Sequence, residues 1–113
     1  MPDCLFCKII QRSISAKLVF EDNDAVAFED INPQAPTHVL IVPKKHVSGL
    51  AETSDADVEL LGRLQRTAAV LAAKLGLLGG FRLVANNGRG AGQTVEHLHY
   101  HLLGGRAMKW PPG

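Results

Sequence analysis

Short apolar runs bounded by turn residues, together with one long segment of helical periodicity, predict five strands and two helices along this chain. A short N-terminal helix is expected over residues 4–12, where apolar side chains fall on one side. Strands are predicted at residues 18–20 and 25–30, and the turn-forming residues 21–24 between them indicate a hairpin. A third strand, at residues 38–42, is apolar after its first position, which is typical of a central strand that is buried on both faces.

The long helix is predicted to begin after Ser54, a favourable N-cap residue that is followed three positions later by Asp57 in a capping-box-like pattern. Its apolar residues form one stripe: Val58, Leu61, Leu64, Ala68, Leu71 and Leu75. Gly76 suits the position just after the helix, where a left-handed conformation is common. The stripe indicates a helix that packs against a sheet.

Two more strands are predicted at residues 81–86 and 97–103, and the loop between them has three glycines in the five positions 88–92. Because strands come first, then one long helix, then strands again, we expect an α+β fold. It would have a mostly antiparallel five-stranded sheet, one long helix and a short N-terminal helix. We expect one domain over residues 1–113.

The composition is that of an ordinary globular protein with nearly balanced charge. Of the 113 residues, 46% are hydrophobic and 20% are charged, which is ordinary for a soluble domain. Twelve basic and eleven acidic residues nearly cancel, and no basic stripe indicates nucleic-acid binding. Residues 1–4 do not begin a signal-peptide pattern, and the apolar runs are too short to span a membrane. The expected location is the cytoplasm.

Three histidines alternate with apolar residues near the C-terminus, at His97, His99 and His101. In a strand they would share one face. One interpretation is a histidine nucleophile at His99, flanked by two imidazoles that hold phosphate oxygens or move a proton. Another is a metal platform, which the spacing of about 7 Å between alternate strand residues disfavours. A third is ordinary core or surface histidines, which the strict alternation disfavours.

Two further features can carry chemistry. The glycine-rich loop allows backbone N–H groups to converge on an anion, and Gln93 and Thr94 add polar side chains beside it. A flexible hairpin connection is the alternative, but the histidines five residues later favour phosphate binding. Cys4 and Cys7 form a C-x-x-C pair, which in a reducing compartment indicates metal ligands or a redox motif.

In combination, these motifs resemble the histidine-triad (HIT) superfamily. The resemblance rests on the His-x-His-x-His pattern, on the segment DINPQAPTH at residues 30–38 and on PKKH at residues 43–46. The endings LGGR at residues 103–106 and WPPG at residues 110–113 are similar to the Hint branch, the purine nucleoside phosphoramidases. The resemblance covers essentially the entire chain.

The resemblance implies a homodimer that joins two sheets, and a purine nucleotide (AMP-type) site. It implies a hydrolase that cleaves the P–N bond of adenosine 5′-phosphoramidate-type substrates through a nucleotidyl-His99 intermediate, without a catalytic metal. The carbonyl of His97 would orient His99, and His101 would contact phosphate oxygens. His38 would complete the polar cluster, and Thr94 would hydrogen-bond the leaving group or a phosphate oxygen.

The nucleoside contacts transfer from the resemblance in the same way. Asp30 would accept hydrogen bonds from the ribose hydroxyls. The apolar slot for the base would be formed by Phe6, Phe28, Ile31 and Leu40. The phosphate edge would include Asn86, Gly92 and Gln93. Trp110 would reach toward the site of the partner subunit, or would simply pack the C-terminal tail.

The resemblance also implies a structural zinc site in some bacterial members, with the ligands Cys4, Cys7, His46 and His97. A Cys₂His₂ set suits closed structural zinc, and the alternative is a pair of packed thiols. Two rival functions stay open at the level of sequence. One is a nucleotide-binding scaffold in which hydrolysis is incidental, and the other is a metal-dependent enzyme that uses all three triad histidines as ligands.

Overall fold

A computed structural model describes residues 4–113 of the protein. The predicted domain and the segment in which no signal peptide is expected both begin with residues 1–3, which lie outside the described residues. The structure confirms an α+β fold with one five-stranded antiparallel sheet of order β1-β2-β3-β5-β4. The strands are β1 (Leu18–Glu21), β2 (Ala25–Glu29), β3 (Thr37–Pro43), β4 (Phe81–Val84) and β5 (Tyr100–Gly104). The α-helices are α1 (Leu5–Ile10) and α2 (Val58–Lys74).

The predicted capping box at Ser54 is present, although it begins a 3₁₀ turn rather than α2 itself. The Ser54 hydroxyl accepts the N–H of Ala56, and the Ser54 N–H donates to Asp57 Oδ2 at 3.0 Å. The turn Asp55–Asp57 leads directly into α2. Gly76 has a φ of +76°, as its predicted position after the helix requires.

The sheet is buried on both faces, which explains the apolar sequence of β3. On one face, α2 packs against a core that includes Ile41, Leu64 and Leu102. On the other face, α1 packs through Phe6 onto a smaller cluster that includes Phe28. Among the helices of residues 4–113, none has the length and apolar character needed to cross a membrane.

The last strand is shorter than its sequence pattern predicts, because it begins at Tyr100 and not at His97. The N–H of Leu98 donates to the carbonyl of Val47, in the loop after β3, so this segment leaves the β3 ladder. Pro43 ends β3 and has no N–H with which to continue the ladder. The prediction of three histidines on one face of a regular strand is therefore wrong for His97 and His99.

Other boundaries differ by one or two residues. The strand predicted over residues 81–86 ends at Val84, and the strand predicted over residues 25–30 ends at Glu29. In the helix stripe, the two terminal positions are not buried: Val58 is 65% exposed and Leu75 is 39% exposed. The buried residues of α2 therefore run from Leu64 to Ala72.

Candidate active site

A cavity of about 330 Å³ opens beside the triad, between α1, β2 and the segment that precedes β5. This volume lies within the range of small-molecule sites. Eight predicted site residues line it: Phe6, Phe28, Asp30, Ile31, Leu40, Thr94, His99 and His101. Residues that the sequence analysis did not select also line it, among them Leu5, Ile9, Ile14, Ala16 and Val95. The tertiary structure thus brings most of the predicted nucleotide site together.

His99 has a defined orientation in the wall of this cavity. Its Nδ1–H donates to the main-chain carbonyl of His97 at 2.7 Å, so the lone pair of the neutral ring is on Nε2. The ring of Phe6 contacts it edge to face, with the ring centroids 5.0 Å apart. Burial lowers the pKa of His99, which keeps the imidazole unprotonated at neutral pH. These are the properties that a histidine nucleophile needs.

His101 and His38 form a second imidazole pair next to His99. The ring centroids of His99 and His101 are 5.0 Å apart, and His38 Nε2 lies 2.9 Å from His101 Nδ1. Burial, together with the neighbouring histidines, lowers the pKa of His101 to about 4. Burial also lowers the pKa of His38, against the opposing effect of Asp30. Both rings are therefore neutral at pH 7 and act through hydrogen bonds.

Asp30 provides the carboxylate at the mouth of the cavity. Its Oδ1 accepts the N–H of Asn32 at 2.8 Å, and its Oδ2 lies 3.4 Å from His38 Nε2. Ile31, the next residue, is 98% exposed. An acidic acceptor beside an exposed apolar side chain suits a ligand that has hydroxyl groups next to a flat apolar ring.

The side chain of His97 belongs to a different site. Its Nε2–H donates to the carbonyl of Pro43 at 2.8 Å, which leaves the lone pair on Nδ1. Nδ1 lies 3.3 Å from Cys4 Sγ, 3.6 Å from Cys7 Sγ and 3.1 Å from His46 Nδ1. His97 does not line the cavity, so the three triad imidazoles of the described chain do not face one common ion.

The four predicted zinc ligands Cys4, Cys7, His46 and His97 come together as a candidate metal centre. Their donor atoms all lie within 4.8 Å of one another. In a zinc tetrahedron with bonds of about 2.0 Å to nitrogen and 2.3 Å to sulfur, ligand atoms are roughly 3.3–3.8 Å apart. Four of the separations between these atoms are 3.1–3.6 Å, which is close to this arrangement. The donor set and the free lone pair of His97 thus suit zinc.

The three residues predicted at the phosphate edge, Asn86, Gly92 and Gln93, lie outside the cavity lining. Gln93 is buried, and each hydrogen bond of its side chain is made with a main-chain group. Its Nε2 donates to the carbonyls of Ser48 at 2.7 Å and Val95 at 3.0 Å, and its Oε1 accepts the N–H of Gly88 at 2.8 Å. This side chain therefore holds the glycine-rich loop in place.

Sequence reasoning missed the main-chain partners that orient the imidazoles. The carbonyl of Pro43 orients His97, and the N–H of Gln34 donates to His38 Nδ1 at 3.0 Å. A main-chain group is present at every position, so no residue type identifies it. The one available signal was position, since Pro43 directly follows a predicted strand and Gln34 lies in the connection between two predicted strands.

Comparison with known proteins gives consistent results. Residues 11–108 match the family model described as HIT domain. The crystal structure of a HIT family hydrolase from Legionella pneumophila superposes with a TM-score of 0.97, at 54% identity, over 98% of this chain and 100% of that one. A 14 kDa zinc-binding protein of Zea mays is 50% identical over 96% of this chain and 87% of its own length. The protein named adenylylsulfatase HINT1 of Arabidopsis thaliana is 46% identical over 96% of this chain and 76% of its own length.

Proposed function

Because the chain belongs to the HIT domain family, we propose that it is a hydrolase of purine nucleoside 5′-phosphoramidates. It cleaves the P–N bond of an adenosine 5′-phosphoramidate-type substrate and releases a nucleoside monophosphate. The observation that carries this proposal is the hydrogen bond from His99 Nδ1 to the carbonyl of His97, which presents the Nε2 lone pair as a nucleophile.

In the proposed reaction, His99 Nε2 attacks the α-phosphorus, and the P–N bond breaks as the departing nitrogen takes a proton from solvent. Water then attacks the phosphorus of the nucleotidyl-His99 intermediate and returns a proton to solvent, which releases the monophosphate and frees the imidazole. His101 donates a hydrogen bond to a phosphate oxygen, and Thr94 contacts the leaving group or a second oxygen. No metal takes part in these steps.

The nucleoside half of the substrate is held by the apolar slot and by Asp30. Phe6 and Phe28 contact each other edge to face, with ring centroids 5.4 Å apart, and form one apolar wall of the cavity. We place the purine against this wall and against Ile31, and the ribose hydroxyls against Asp30. The Arabidopsis relative is named an adenylylsulfatase, and adenylyl sulfate has the same nucleoside half. We therefore expect variation among substrates mainly in the leaving group.

Two further proposals concern assembly. We propose that zinc occupies the centre formed by Cys4, Cys7, His46 and His97, where it stabilises the fold without taking part in the reaction.

We also propose a homodimer that joins two sheets. β4 is an edge strand of the described sheet, and its Phe81 is 41% exposed. Pairing of this edge with a second chain would cover Phe81 and the unpaired main-chain groups of β4. Size-exclusion chromatography with light scattering tests this proposal, which predicts the mass of two chains.

The experiment that tests the activity compares wild-type protein with His99→Ala on adenosine 5′-phosphoramidate, by ³¹P NMR. The variant should lose turnover by at least about 10³-fold, because the step that forms the new bond is gone. It should still bind AMP, measured by calorimetry, because the slot and Asp30 remain. Turnover retained by His99→Ala would contradict the nucleophilic mechanism. Loss of wild-type turnover in excess chelator with no change in thermal unfolding would support the metal-dependent alternative, because removal of a structural zinc would also lower the melting temperature.

A further inference from the structure

The loop between β2 and β3 contacts the second imidazole pair through its main chain. The N–H of Gln34 donates to His38 Nδ1 at 3.0 Å. A main-chain N–H can only donate a hydrogen bond, so His38 Nδ1 must present its lone pair. The ring proton of His38 is therefore on Nε2.

This assignment determines the next one. His38 Nε2 lies 2.9 Å from His101 Nδ1, and one proton must lie between these two nitrogens. Since His38 supplies it, His101 Nδ1 accepts, and the proton of the neutral His101 ring is on Nε2. Asp30 Oδ2 is also near His38 Nε2, but at 3.4 Å it is the more distant acceptor.

His101 Nε2 is the end of this chain of contacts. It has no hydrogen-bond partner among residues 4–113, and no buried side-chain nitrogen or oxygen in this range lacks a partner. The atom is therefore accessible, and His101 lines the cavity. An accessible N–H at this position can donate to a bound anion.

We propose that the main-chain N–H of Gln34 is a positioning group that acts through His38 to hold the proton of His101 on Nε2, facing the substrate. This inference rests on the proposed function, because the expected acceptor is a phosphate oxygen of the substrate. The side chain of Gln34 has no part in it.

We call the contacts from Gln34 N–H through His38 to His101 the relay. The relay and the carbonyl of His97 give the two neighbouring rings, His101 and His99, opposite roles. The carbonyl of His97 accepts the Nδ1 proton of His99, so Nε2 of His99 presents a lone pair. The N–H of Gln34 acts through His38, so Nε2 of His101 carries a proton and is a donor. If His101 carried its proton on Nδ1 instead, a second lone pair would face the phosphate and repel its oxygens. One ring therefore attacks the phosphorus while the other stabilises the charge on oxygen.

The segment directly after β5 holds the loop in the required position. Arg106 Nε donates to the carbonyl of Gln34 at 3.0 Å. Gly105 has a φ of +90°, and a Cβ at this glycine would lie 2.9 Å from Pro36 Cβ. The close approach of this segment to the loop, together with the positive φ, therefore requires glycine at this position.

A matched pair of variants isolates the N–H. Gln34→Pro removes both the side chain and the main-chain donor, whereas Gln34→Ala removes only the side chain. For Gln34→Pro we expect kcat to fall about tenfold with KM changed less than about threefold, because one net hydrogen bond is worth up to about tenfold. Gln34→Ala should retain kcat within about twofold. In ¹⁵N NMR at pH 8, only Gln34→Pro should shift His101 toward the Nδ1–H form.

A measurement on wild-type protein decides the matter even if Gln34→Pro does not fold. Couplings between ¹⁵N nuclei across hydrogen bonds should join Gln34 N to His38 Nδ1, and His38 Nε2 to His101 Nδ1. Absence of the first coupling, or a proton on His101 Nδ1, would overturn the relay. So would a folded Gln34→Pro with unchanged kcat and unchanged tautomer. These spectra need no substrate, so failure of the relay is distinguishable from absence of phosphoramidase activity.

Discussion

His97 and His99 are joined by a 2.7 Å hydrogen bond in which the side chain of one residue meets the main chain of the other. The carbonyl of His97 orients His99, while the imidazole of His97 turns away to Cys4, Cys7 and His46. A single residue thus contributes its main chain to the candidate active site and its side chain to the candidate metal centre. Changes in the metal centre are expected to affect the nucleophile through this shared residue.

We predict that the purified protein contains about one zinc per chain, because the donor set of two thiolates and two imidazoles matches tetrahedral zinc. The double variant Cys4→Ser/Cys7→Ser should lose the metal and melt at a lower temperature. Elemental analysis and thermal unfolding with and without chelator measure both effects. A wild-type protein without zinc, whose melting temperature does not respond to added zinc or to chelator, would refute the prediction.

Asp30→Asn should weaken nucleotide binding. The change removes the charge but retains one oxygen, and a hydrogen bond to a charged group contributes about 1.5–3 kcal/mol, so KM should rise roughly tenfold or more. Substrates with ribose and with 2′-deoxyribose provide the control. Wild-type protein should discriminate between them, and Asp30→Asn should do so much less. Equal discrimination by both proteins would place the ribose elsewhere.

Gln93→Leu should destabilise the protein, because three main-chain groups, at Ser48, Val95 and Gly88, lose their partner. These three hydrogen bonds are part-buried, and a net hydrogen bond contributes about 0.5–1.5 kcal/mol, so we expect a loss of roughly 2–4 kcal/mol. Urea unfolding measures it. Gln11→Ala, at an exposed glutamine, is the matched control and should change the free energy of unfolding by less than about 0.5 kcal/mol. An equally small effect at Gln93 would mean that the glycine-rich loop does not depend on this side chain.

The stability of the protein should decrease between pH 7 and pH 5. The pKa of His101 is about 4 in the folded state, against an ordinary value of 6.5, so in this range the unfolded chain binds a proton that the folded state excludes. Acidification therefore favours unfolding, by on the order of 1–2 kcal/mol from this residue. Urea unfolding at the two pH values measures the difference, and His101→Gln should reduce it. A wild-type stability that rises on acidification would contradict the sign.

Local sequence patterns predict the elements of this fold well. The capping box at Ser54, the glycine after α2 and the apolar strand at residues 38–42 each depend on neighbours within a few positions. The lining of the cavity was also predicted in large part, but through the likeness of whole motifs to a known family. The apolar character of Phe6 and Phe28 alone does not distinguish a ligand wall from ordinary core.

The sequence by itself determined the fold class and the helices, and its resemblance to a known family identified the four residues that meet at the candidate metal centre. Only the tertiary structure decided what each histidine does. The alternating triad predicts one row of three imidazoles, but the bond from Leu98 to the carbonyl of Val47 takes the segment out of the ladder before Tyr100. The roles of the rings then depend on main-chain atoms of Pro43, His97 and Gln34. Because every residue has such atoms, only their placement by the fold gives them a function.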